Sequence, residues 1–252
     1  MELVVLGSGT CVPTLRRSCA CYFLTIGTSR ILVDIGFGAL RRMVEGRIDY
    51  REVDFVVITH THLDHVGDLA PLMMALKYTP DFTRSKPLVI LGPVEFSTFY
   101  AKLTELFGTK FLVPDNYRVD VRQVENETLF FEQWELTGVE MKHSRASNGY
   151  RFKYGDRIVA YSGDTEMNEQ VVTLARNADL AIFECSFPDD SPESGHLTPI
   201  QVGKIAARAG CKSILLSHLY PVMENIDIIK ACSAFFPGEI RIAEDLTTYK
   251  IE

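Results

Sequence analysis

His60-Thr61-His62-Leu63-Asp64-His65 places three imidazoles and a carboxylate within six residues, directly after the run Asp54-Phe55-Val56-Val57-Ile58. Imidazole nitrogen is the commonest protein ligand for zinc, and a neighbouring carboxylate adds the harder oxygen that bridging and hydrolytic sites use. The preceding run is apolar and β-branched and predicts a buried strand, so the motif leaves it as an ordered loop. Residues two apart in extended backbone share a side. His60 and His62 are thereby expected to grip one ion, and the following turn sends Asp64 and His65 toward a second ion or a metal-held water. A lone histidine at a strand end is most often solvated or simply hydrogen-bonded, but four metal-competent residues in six are better explained by coordination. The chemistry this pattern points to is hydrolysis.

Three more candidates follow apolar runs: His143 after Glu140-Met141-Lys142, His218 after Ile214-Leu215-Leu216-Ser217, and Asp164 in Ala160-Tyr161-Ser162-Gly163-Asp164-Thr165, where Gly163 permits a tight backbone approach. Seven candidate ligands thus sit in four loops. His196 differs, because it lies in a Gly/Ser/Pro-rich loop and is a poor candidate ligand. A free imidazole near metals is a natural general acid. The competing reading is a helix-entry histidine, since Thr198-Pro199 resembles an N-cap followed by proline at the first helical position.

The elements that must position these groups are legible as alternating strands and helices. Strands are predicted at 2–6, 21–26, 31–34, 54–59, 88–91, 134–142, 150–154, 158–161, 180–184 and 214–217. Helices are predicted at 38–45, 66–77, 166–176, 199–209 and 226–235. This is an α/β chain, and two sheets flanked by helices is the natural packing. Residues 80–87 and 108–116 read as surface loops rather than domain linkers, and 252 residues fit one domain, 1–252. A strand ending in ligands recurs in both halves and hints at an ancient duplication.

Composition is ordinary for a soluble protein, with no apolar run near the ~18 residues of a spanning helix. The N-terminus enters a strand with no basic segment and long apolar region, so a cytoplasmic, membrane-free protein is expected. Six scattered cysteines without a Cys-x-x-Cys pair read as small buried apolar residues. A formal charge of −7 opposes non-specific nucleic-acid binding, though a local basic patch is compatible with it. Gly7-Ser8-Gly9-Thr10 with Arg16 or Arg17 has the makings of a phosphate cradle, but without a following helix N-terminus or lysine a plain turn is the simpler reading.

The order His-x-His-x-Asp-His, later His, Asp, final His resembles the metallo-β-lactamase-fold hydrolases. That resemblance implies an αββα sandwich, one zinc on His60, His62 and His143, another on Asp64, His65 and His218, and Asp164 bridging. Manganese or iron are alternatives to the two zinc ions. Within the superfamily the chain is similar to ribonuclease Z, which trims tRNA precursors at their 3′ end. The likeness extends to Leu6–Thr10 with Pro13–Arg17, Gly149–Phe152, Tyr161–Thr165, Phe183–Phe187 and Gly195–Thr198. It implies that His196, assisted by Glu184, protonates the leaving 3′ oxygen, that Asp64 positions or deprotonates the attacking water, and that the protein is a homodimer acting on a tRNA precursor. Long tRNA-processing relatives carry a Gly/Pro-rich basic arm that grips the tRNA, and none is visible here. Arm-reduced forms include enzymes of small phosphodiesters such as cyclic nucleotides. A dinuclear zinc phosphodiesterase is therefore the primary expectation, with a cyclic-nucleotide-type substrate as its alternative. A lactone or thioester hydrolase, using Tyr150 or Tyr220 to polarise a carbonyl, comes next. A non-catalytic metal-bearing module is least favoured because no ligand is missing.

Overall fold

Both faces of the central strands are apolar, and their side chains divide between two cores by simple alternation. In Ile31–Val33, Ile31 and Val33 enter one cluster and Leu32 another; in Leu180–Phe183, Leu180 and Ile182 join the first of these while Ala181 and Phe183 join a third. Strands buried on both faces require covering on both faces, so each sheet is held between its partner sheet and a layer of helices. The central cluster, with Tyr22, Trp134, Tyr150 and Tyr161, lies between the sheets.

A computed structural model describes all 252 residues. Its strands, numbered in chain order, are β1 (Glu2–Gly7), β2 (Cys21–Ile26), β3 (Ser29–Val33), β4 (Phe55–Val57), β5 (Leu88–Gly92), β6 (Val119–Gln123), β7 (Thr128–Phe130), β8 (Glu135–Met141), β9 (Ser147–Tyr154), β10 (Arg157–Tyr161), β11 (Leu180–Glu184), β12 (Ser213–Ser217), β13 (Glu239–Ile242) and β14 (Thr248–Lys250). They form two seven-stranded mixed sheets, ordered β14-β1-β2-β3-β4-β5-β6 and β13-β12-β11-β10-β9-β8-β7. Pairing is parallel from β3 to β6 and from β10 to β13, and antiparallel elsewhere. The helices are α1 (Ala39–Glu45), α2 (Leu63–Val66), α3 (Leu69–Tyr78), α4 (Phe96–Phe107), α5 (Thr109–Leu112), α6 (Glu169–Leu174), α7 (Pro199–Ala209) and α8 (Ile228–Ser233). No helix is long and apolar enough to cross a membrane.

Departures from the predicted elements have local causes. The strand expected to reach Thr59 stops at Val57 because the Thr59 amide turns away to donate to the Asp34 carboxylate. The helix expected over 66–77 is broken at Gly67-Asp68: the Asp68 amide bonds the Ile35 carbonyl and its carboxylate accepts from the Leu40 amide. Asn168 caps α6 by accepting from the Val171 amide, which starts that helix later than expected. The loop over 108–116 contains the single turn α5, and α4, β6, β7, β13 and β14 were not anticipated.

The stretch 80–87 is a loop, but Arg84 within it is buried. Its guanidinium donates to the carbonyls of Arg51, Val53, Lys86 and Pro87, tying the entry of β4 to that of β5. Arg84→Ala orphans four acceptors and leaves a cavity. An unfolding free-energy loss of about 2–4 kcal/mol is expected, seen as a fall in Tm on the order of 10 °C; an unchanged Tm would show that water replaces the guanidinium without cost. All six cysteines are free. Cys21, Cys185, Cys211 and Cys232 are buried as expected, whereas Cys19 is half-buried and Cys11 exposed.

Candidate metal centre

The ends of β4, β8, β10 and β12 bring all seven predicted ligands to one place. His62 Nδ1 lies 3.0 Å from His60 Nε2 and 3.2 Å from His143 Nε2. His65 Nε2 lies 3.2 Å from His218 Nε2, which is 3.4 Å from Asp64 Oδ2. Asp164 stands between the two groups: its Oδ2 is 3.8 Å from His60 Nε2 and 3.9 Å from His143 Nε2, and its Oδ1 is 3.4 Å from His65 and 3.5 Å from His218. Gly163 has φ 57°, and a Cβ there would sit 2.9 Å from Thr59 Cβ, so only glycine lets the Asp164 loop close so tightly.

The outward nitrogen of each of four imidazoles is held by the protein, which selects the tautomer whose other nitrogen faces the centre. His60 Nδ1 donates to Thr59 Oγ1 at 3.0 Å, His65 Nδ1 to Asp34 Oδ2 at 2.8 Å, His143 Nδ1 to the Gly195 carbonyl at 3.0 Å and His218 Nδ1 to Ser186 Oγ at 3.0 Å. Burial pushes His60 well down and His62 down, so both are neutral and ready to ligate. His65 is driven the other way: burial opposes its charge, but Asp164 and Asp34 raise it well above the usual histidine range. Asp164 is held well below the carboxylate range by His218 and His65 against its own burial, and Asp64, likewise against burial, is pulled to about 2 by His218 and His65.

These residues fit divalent metal. Asp164 Oδ1 is buried and accepts no hydrogen bond, an orphan that costs free energy unless a cation meets it. Donor atoms of His60, His62, His143 and Asp164, and separately of Asp64, His65 and His218, all lie within 4.8 Å of one another. Imidazole and carboxylate are the donor set of hydrolytic metal sites.

His196 borders both groups, with ring centroids 5.3 Å from His143 and 5.9 Å from His218, and its Nδ1 bonds Glu184 Oε2 at 3.0 Å. Glu184 is fully buried and also accepts from Ser186 Oγ and the Thr165 amide. Burial disfavours charge on His196, but the Glu184 contact outweighs it and raises the imidazole to about 9. Thr198 does cap α7 with a full capping box, so the helix-entry reading describes Thr198-Pro199 correctly while His196 faces the centre's rim.

Other expectations resolve differently. Tyr150 is buried with its hydroxyl donating to the Ile58 carbonyl, which removes it from any carbonyl-polarising role. Tyr220 lines the rim, stacked on Phe187 at 4.6 Å and 6.2 Å from the His196 ring. The amides of Ser8 and Gly9 are spent on Asp245 and the Ser18 carbonyl, and Arg16 and Arg17 pair with Glu244, so the glycine-rich segment is neither a phosphate cradle nor a plain turn but the end of β1 followed by a bridge from Gly9 to Cys19. Asp34 was missed as a site residue. It is fully buried and accepts from the Thr59 amide, Thr59 Oγ1, His65 Nδ1 and Tyr161 Oη. Its signal was available: a carboxylate inside Ile31-Leu32-Val33-Asp34-Ile35 must be paired if the run is buried.

Comparison with known proteins shows the family. The family described as "Beta-lactamase superfamily domain" matches residues 29–219. The probable metallo-hydrolase YhfI of Bacillus subtilis is 27% identical over 247 residues, covering 97% of each chain, and the crystal structure of YhfI superposes with a TM-score of 0.84 over 98% of both chains at 25% identity. Ribonuclease Z of Methanothermobacter thermautotrophicus is 28% identical over 302 aligned positions, covering 100% of this chain and 97% of the relative. Human tRNase Z, short form, shares the fold with a TM-score of 0.81 over the full length of both chains at 22% identity. Two mixed sheets between helices, a histidine and aspartate cluster at their strand ends, and this family match identify the chain as a member of the β-lactamase superfamily, a hydrolase of the metallo-β-lactamase fold.

Proposed function

We propose that the protein is a dinuclear zinc phosphodiesterase, with His60, His62 and His143 holding one ion, Asp64, His65 and His218 the other, and Asp164 shared. The observation that carries this reading is the His196–Glu184 pair beside the ligands but with its Nδ1 already engaged. When bound, divalent ions supply Lewis acidity, which acidifies water and offsets charge building on a phosphoryl group. Everything else falls to the chain. Asp64 positions or deprotonates the attacking water. Glu184 fixes the imidazole of His196 in the tautomer and charge state that can deliver a proton from Nε2 to the departing alkoxide. A poor alkoxide leaving group needs that proton; a lactone or thioester has less use for it.

Ribonuclease Z relatives favour RNA, and tRNA 3′ trailers in particular, as substrate. The length of the alignment favours a second reading: about 50 of the 302 positions aligned with the archaeal ribonuclease Z fall opposite gaps in this 252-residue chain, whereas YhfI aligns at matching length. A compact phosphodiester is the substrate on that reading. Zinc-loaded protein should be given a 3′-extended precursor tRNA and, separately, bis(p-nitrophenyl) phosphate, beside His196→Ala and Glu184→Gln variants. Hydrolysis reduced roughly 10²–10⁴-fold in His196→Ala with metal content unchanged is expected. Cleaved tRNA selects the first reading, turnover of the small ester alone the second. Neither reaction at full metal occupancy would end the phosphodiesterase proposal and direct assays to lactones and thioesters.

A further inference from the structure

A cleft of about 430 Å³ adjoins the metal centre, lined on one side by Thr61 and Arg145 and on the other by Glu95, Thr98, Phe99 and Lys102. Thr61 lies between the ligands His60 and His62, and Arg145 is two residues beyond His143, so this wall is made of the ligand-bearing loops themselves. The opposite wall is one face of α4 with the residue that precedes it, since positions 98, 99 and 102 recur at helical spacing and Glu95 is the N-cap.

The cleft is a local exception to the charge of the chain. Arg145 and Lys102 have no carboxylate within ion-pair distance in a protein whose formal net charge is −7. Arg145 spends only Nη1 on the protein, donating to Thr61 Oγ1 at 2.8 Å, which aims the rest of its fork while leaving Nε and Nη2 without protein acceptors. Lys102 donates to no protein acceptor. The 12-residue α4 has no side-chain cap at its N-terminus, so its positive end adds to the same field. Glu95 is the single carboxylate on the walls; it cannot neutralise two cations and is a ready acceptor for a sugar hydroxyl.

We propose that this cleft is an anion subsite for a second phosphate beside the bond being broken, which makes the substrate a phosphodiester carrying a further phosphate, such as an oligonucleotide or a phosphorylated nucleotide ester. The identity of the bond rests on the phosphodiesterase reading; the anion site does not. Arg145 grips the phosphate through its fork, Lys102 adds a point charge, and Thr98 supplies a hydroxyl. Simple diesters with one phosphate leave the cleft empty.

The test is calorimetry on the zinc-loaded protein with thymidine 5′-phosphate and thymidine 3′,5′-bisphosphate, the two ligands differing only in the second phosphate. The bisphosphate is expected to bind roughly tenfold or more tighter, an advantage removed in Arg145→Ala/Lys102→Ala. Lys102→Ala alone, which disturbs no protein hydrogen bond, should remove part of it, so a folding defect in the double variant does not decide the matter. Salt should weaken the advantage in the wild type and not in the double variant. Equal affinities for the two ligands, or an advantage retained in the double variant, overturn the subsite. Turnover of bis(p-nitrophenyl) phosphate is measured alongside: a bisphosphate advantage without turnover overturns the catalytic reading alone, and turnover without the advantage overturns the subsite alone.

Discussion

Asp164→Asn should empty the centre and silence the enzyme, with metal content below one ion per chain and hydrolysis down on the order of 10⁴-fold, which corresponds to ~5.5 kcal/mol. Asp164 is the one carboxylate that reaches both imidazole groups, with each oxygen between 3.4 and 3.9 Å of two histidines. Replacing it with the isosteric amide keeps the shape and removes the charge. The effect on stability should then be larger with metal than without it. In the metal-free protein His218 and His65 hold Asp164 ionised against its burial, so losing its charge costs stability there too. On the proposed assignment it is a ligand in the loaded protein, and binding at 1,000 times Kd contributes ~4 kcal/mol, or on the order of 10 °C in Tm for a chain of this size. Wild-type protein should therefore lose about 10 °C on chelation, and Asp164→Asn almost nothing. A variant that keeps its metal, or that loses as much Tm on chelation as the wild type, would make Asp164 a structural partner of the histidines and not their shared ligand.

How much of this was legible in the sequence depends on whether the deciding contacts are local. His60, His62, Asp64 and His65 announce themselves because the ligands are neighbours in the chain and follow an apolar run. His143, Asp164 and His218 are found the same way, since a strand end is a local signal even when its partners are distant. The helix α4 was not, because Phe96-Ser97-Thr98-Phe99-Tyr100 is rich in residues that favour strands, and packing of Phe96 into the core overrides that preference. The edge strands β6, β7, β13 and β14 are short and partly exposed, and what makes them strands is pairing with distant segments, as where Tyr249 of β14 pairs with Leu3 of β1, 246 residues away. Arg84 was hidden by its neighbours: proline, serine and aspartate mark a surface loop, and nothing local says that one guanidinium from that loop turns inward to four carbonyls. Asp34 was hidden by its strand, whose apolar pattern absorbed it.

Asp34→Asn is the sharper test of how the fold builds the centre, because Asp34 is not among the proposed metal ligands. It sits at φ 55°, left-handed for a non-glycine residue, and that strain of roughly 1–3 kcal/mol persists only because four donors converge on its carboxylate. An amide offers one acceptor oxygen where the carboxylate offers two. Whichever way it is turned, its NH₂ group meets a hydroxyl or the His65 Nδ1 proton, so at least one buried donor is left unpaired. The expected loss is about 3–5 kcal/mol in folding, read as a lower Tm in metal-free protein. The functional loss follows from His65, whose ring is free to turn once Nδ1 has no anchor, and Nε2 no longer stays aimed at Asp164 and His218. Metal affinity should fall roughly 10–100-fold, with residual activity recovered at high metal concentration. His65→Ala measured beside the double variant decides the route: if Asp34 acts through His65, the two losses in affinity are far from additive. Additive losses would mean that Asp34 supports the centre through Thr59 and Tyr161 instead, by holding the β3 and β10 ends against the ligand loop.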